Sequence, residues 1–190
     1  MTSPMPAFVL LSLLLGSPRL SHAIPAPADT APLEFHGFRA GARLDEIQAL
    51  VRSLDGGRLK CDRAKADRHV TECRAVLTDP ELGAPVDLWI SAIDSVAGVI
   101  TISGGVAADQ LDRWRRTIER RYGRVDAQVQ GSQWMMQWVR RGRMLRLTWR
   151  IEGGQKVASV SLVDGRVLDA WGGGRHPEAT ERTERTERGR

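Results

Sequence analysis

The chain has 190 residues, 42% of them apolar, two cysteines and a net charge of +5. That is enough for one domain with a real core, and the longest apolar run is too short to span a bilayer as a helix. Charge is uneven: residues 113–150 hold eleven arginines against Glu119 and Asp126, a local +9, leaving −4 for the rest. Such asymmetry suggests an anionic partner, with arginine on merely solvated faces as the competing reading.

At the N-terminus, "AFVLLSLLLG" (7–16) precedes "SPRLSHA", which places Ser21 and Ala23 at the small-residue positions of a cleavage site. Residues 1–23 therefore read as a signal peptide cut after Ala23, although its first six residues carry no Lys or Arg. The implied location is periplasmic or extracellular, and no cysteine follows the cut to carry a lipid anchor. Residues 24–32 form a Pro/Ala-rich leader, and residues 33–171 a single globular domain.

In that domain "LEFHGF" (33–38) reads as a short strand. "ARLDEIQALVRSL" then aligns Leu44, Ile47, Leu50, Val51 and Leu54 as one helix stripe ended by Gly56-Gly57. Its N-cap is poor, with Ala42 where Ser, Thr or Asp is expected.

"CDRAKADRHVTEC" follows. A zinc site would use Cys61, His69 and Cys73 with Asp67 or Glu72, but the spacing lacks the usual close ligand pairs. A redox pair would need Cys-x-x-Cys beside a helix N-terminus. Export and the even cysteine count favour a Cys61–Cys73 disulfide across a hairpin of 58–63 with 70–77, leaving His69 in the loop.

"VDLWISAI" and "GVITIS" (98–103) read as strands. A second helix over about 106–122 aligns Ala107, Leu111, Trp114, Ile118 and Tyr122 and ends at Gly123.

Residues 133–163 specify their own register. With Arg141-Gly142 and Gly153-Gly154 as two-residue turns, Trp134, Met136 and Trp138 face Trp149, Leu147 and Leu145. Those three in turn face Ala158, Val160 and Leu162. One face of the meander is then apolar, while Gln137, Arg146, Thr148, Arg150, Ser159 and Ser161 point the other way. Arg141 is an awkward residue for such a turn. The fold class is α+β: two amphipathic helices packed on one face of an antiparallel sheet, with 33–92 and 98–163 as two tandem β-α-β-β-β units. Residues 172–190, with Thr-Glu-Arg three times, read as a disordered tail.

Catalytic signals are sparse. No Gly-x-Ser-x-Gly, P-loop, His-Glu-x-x-His or dinucleotide fingerprint is present, and "ISGGVAAD" reads as a helix entry. The carboxylates Asp87, Asp94 and Asp164 leave a hydrolase as the alternative, and Asp164-Gly165 reads first as a turn. No cofactor and no metal are expected. Tryptophan beside arginine raises nucleic acid, but Trp134, Trp138 and Trp149 fall on the apolar face, which argues against it.

The strand with Phe35, Gly41, the Leu44–Ile47–Leu50 helix and Gly56-Gly57 resemble small secreted bacterial domains with a helix on an antiparallel sheet. These are the β-lactamase-inhibitor-protein type and the outer-membrane-assembly lipoprotein type. In the inhibitor type a similarly spaced cysteine pair follows the helix. The resemblance covers mainly residues 33–77 and implies a binding module with a tandem helix-plus-sheet fold. Departures are the missing lipid-anchor cysteine, the missing second disulfide and few surface aromatics.

The expectation is therefore an exported, non-enzymatic binding or envelope-assembly protein. Arg140, Arg141, Arg143, Arg146 and Arg150 would meet an anionic envelope component or an acidic protein surface, with no nucleic acid involved. A purely structural envelope protein is a further alternative.

Overall fold

A computed structural model describes residues 32–65 and 67–173. The expected signal peptide and nearly all of the leader and tail lie outside the described residues. The elements are α1 (Leu44–Ser53), β1 (Lys60–Arg63), β2 (Val70–Thr78), β3 (Pro85–Ile93), β4 (Val96–Gly105) and α2 (Ala108–Tyr122). They are followed by β5 (Gln128–Gln130), β6 (Gln133–Arg140), β7 (Arg143–Glu152), β8 (Gln155–Asp164) and α3 (Gly165–Gly173). All eight strands form one sheet in the order β1-β2-β3-β4-β8-β7-β6-β5, antiparallel throughout. The class is thus α+β, and each of the first two helices precedes a four-strand meander.

Strict alternation sorts the strands into two faces. Leu88, Ile90, Ile100, Ile102, Val160, Leu162, Leu145 and Leu147 are buried, and they form one core with Ile47 and Val51 of α1 and Leu111, Trp114, Ile118 and Tyr122 of α2. The residues between them on the same strands are half-buried or exposed. The expected register of 134–163 is the observed one, pair for pair. Both turns take the left-handed backbone conformation that matches the twist of the strands, including Arg141 at φ 49°.

Four local expectations change. "LEFHGF" is not a sheet strand: His36 (φ 49°) and Gly37 (φ 84°) reverse the chain, so Phe35 bridges Phe38 and both rings are buried. Asp164-Gly165 is not a free turn but the junction into α3, which contacts β3, β4 and β7. Beyond the expected strands, β5 adds a short edge strand whose residues are all exposed. Finally, of the three meander tryptophans only Trp138 is buried. Trp149 is half-buried and Trp134 is 38% exposed, and the two rings stack 6.3 Å apart.

Cys61 and Cys73 are opposed residues of β1 and β2 and form a disulfide. Cys73 is fully buried, so the bond joins the short exposed edge strand to the core.

Candidate outer-face binding site

Cross-strand pairing lines up residues that are far apart in sequence. On the face opposite the core, one row runs Lys60, Arg74, Trp89, Thr101, Ser161, Arg146, Gln137, each directly opposite the next. At ~4.8 Å between strands, Arg74 and Arg146 stand roughly 19 Å apart. Between them lies a floor of hydroxyls: Thr101 and Ser161 are bonded at 3.1 Å, and Thr148 and Ser159 in the adjacent row at 2.7 Å.

Two hollows open on this face. One, of about 490 Å³, is lined by Arg58, Lys60, Arg74, Asp87 and Trp89. The other, of about 230 Å³, is lined by Thr101, Ser103, Gln133, Thr148, Arg150 and Ser159. Arg146 is oriented by Gln137, whose Oε1 accepts from Nε at 3.2 Å and Nη2 at 2.9 Å. No described carboxylate pairs with Arg58, Lys60, Arg74 or Arg146. Arg150 does pair, with Glu152 at 2.8 Å.

The five arginines singled out in the sequence do not form one patch. Arg146 and Arg150 point outward from β7, as their register requires. Arg140 donates to the Tyr122 carbonyl at 3.1 Å and lies 5.4 Å from the Tyr122 ring centre. Arg143 donates to Asp164 at 2.8 Å, and Arg141 occupies the β6–β7 turn. Part of the local +9 is also balanced by acids outside the counted segment, two just before it and one far from it in sequence. Arg113 pairs with Asp109, Arg115 with Asp112 and Arg121 with Glu34. Lys60, Arg74 and Trp89 were missed because strand order, which brings them onto one row with Arg146, has no local signature.

Two buried carboxylates, Asp79 and Asp164, are committed elsewhere. Asp79, fully buried, accepts from Trp114 Nε1 at 3.1 Å and from the Glu81 and Leu82 amides, with His36 Nε2 at 2.9 Å. Burial would raise its pKa, but His36 and the two amides outweigh that and hold it below the usual range. Asp164 accepts from both Arg166 and Arg143. Burial again pushes upward, and the two guanidiniums bring the carboxyl down to about 2. A carboxylate so saturated has no lone pair or proton to offer a substrate, which removes Asp164 from the carboxylates of the hydrolase alternative. His69 lies in the β1–β2 turn as expected, with Nδ1 3.2 Å from Asp94. Among the described residues no group of His, Cys, Asp and Glu could hold a metal, and no helix is long and apolar enough to cross a membrane.

Compared with protein-family models, curated proteins and solved structures, the chain matches none.

Proposed function

We propose that the chain is an exported, non-enzymatic binding protein that holds an anionic partner across its outer sheet face. The observation that carries this reading is the row from Lys60 and Arg74 through Trp89 to Arg146. Cations stand at both ends of a hydrogen-bonding floor, and Arg58, Lys60, Arg74 and Arg146 form no ion pair with a described carboxylate. Uncompensated cations on one surface attract an extended anion more than a compact one, because the charges are too far apart for a single small group to meet. An acidic envelope polymer fits that spacing. An acidic protein surface, as an assembly factor would meet, is the second form of the same partner.

The disulfide supports the compartment, since such bonds persist in oxidising surroundings. The same reading takes the sheet as two tandem units, each a helix followed by a meander, joined through β4 and β8, with both helices on the core face. Retention of the full chain on immobilised polygalacturonate, followed through a salt titration, tests the function. Retention lost progressively with salt supports it, and no retention at low salt overturns it.

A further inference from the structure

A further cleft lies apart from the outer-face row, at the end of the sheet covered by α3. It has a volume of about 660 Å³, within the range that holds small-molecule ligands. Its two ends differ in charge. At one end Arg143 Nε donates to Asp164 Oδ2 at 2.8 Å, while Arg166 donates from Nε to Oδ1 at 3.1 Å and from Nη2 to Oδ2 at 2.9 Å. Two guanidiniums therefore share one carboxylate, and one positive charge remains uncompensated there. At the other end Asp94 Oδ1 lies 3.2 Å from His69 Nδ1, so no net positive charge stands there to draw an anion.

The wall between the ends is apolar: Ile93, Val96, Val167 and the Trp171 indole. That indole is tied down, because Nε1 donates to Asp67 Oδ2 at 2.8 Å, across from α3 to the tip of the disulfide hairpin. At the arginine end Gly41 keeps the space open, since a Cβ there would lie 2.7 Å from Asp164 Oδ2.

The geometry points to a binding site for a small amphiphile with one carboxylate head and a medium-length apolar chain. The head meets Arg143 and Arg166, and the chain lies along Val96, Val167 and Trp171. A single uncompensated charge calls for a monoanion, and an apolar wall of this extent is stabilised by covering it with hydrocarbon. A cleft, unlike a protruding apolar helix, takes the free molecule rather than a bilayer surface.

Calorimetric titration of the full chain with decanoate, below its micelle concentration, tests this. One saturable site is expected, with decanol and decyltrimethylammonium each about tenfold weaker or worse. Arg166→Gln should weaken decanoate by a similar factor. Ala170→Trp, at an exposed lining position, should block the site even if Arg166→Gln disturbs the fold. Equal binding of all three probes, unchanged affinity in Ala170→Trp, or binding to phosphatidylglycerol vesicles without binding of free decanoate would overturn it.

Discussion

Lys60 of β1 and Arg74 of β2 stand directly opposite each other, two like charges with no described carboxylate paired to either. Like charges at opposed positions weaken a sheet by roughly 0.2–1 kcal/mol. Their presence fits a surface shaped for a ligand rather than for stability, although Lys60 also guards an edge strand against pairing with other chains. Arg74→Thr should therefore raise the urea midpoint slightly while lowering retention on polygalacturonate. A variant that is less stable, or equally retained, speaks against a binding role for this pair.

The Cys61–Cys73 bond closes a loop with a sequence separation of 12. In the chain-entropy model, opening such a loop costs about 3 kcal/mol. Reduction should lower the melting temperature, and the unreduced, denatured chain should titrate no free thiol. Because Asp67 in the same hairpin anchors Trp171, reduction should also weaken decanoate binding.

Asp164 ionises at about 2 in the folded chain, below the roughly 3.9 of an unfolded aspartate. A depressed folded pKa stabilises fully above the unfolded value, and that contribution fades as pH falls through about 4 toward 2. Its size is on the order of 2 kcal/mol. The stability gap between the wild type and Asp164→Asn, from urea melts, should narrow as pH drops across this window. A gap that stays constant would show that the carboxylate's charge is not what matters.

Asp79 joins the loop after β2 to His36 and to Trp114 of α2, all away from solvent. Replacing one partner of a buried polar network leaves the others without theirs, at a cost of roughly 3–5 kcal/mol. Asp79→Ala should unfold at markedly lower urea, with no effect on anion retention at temperatures where it stays folded. A loss below about 1 kcal/mol would mean that water replaces the carboxylate.

The 134–163 meander was legible because period-two alternation and two turn positions jointly admit one register, and a slip by one residue would mix its faces. Both helix stripes were legible for the same reason at a period of 3.6. What stayed hidden depends on contacts between distant segments. Nothing near Val99 or Val163 says that β4 and β8 pair, yet that pairing alone joins Trp89 to Arg146 in one row. The three exposed residues of β5 carry no pattern, and α3 began at a dipeptide that ordinarily marks a turn. Only Val167, Leu168 and Trp171, at i, i+1 and i+4, hinted at a helix there. Charge counting along the chain misled in part, because the acids that pair with α2 lie outside the arginine-rich span, Asp109 and Asp112 just before it and Glu34 far from it.

The most direct test reverses the outward cations of β7. Arg146→Glu combined with Arg150→Glu should leave the melting temperature within a few degrees of wild type, since both side chains point away from the core. At low salt, binding of polygalacturonate or lipopolysaccharide should then fall to background. Undiminished binding by the folded double variant would contradict an anion-binding outer face.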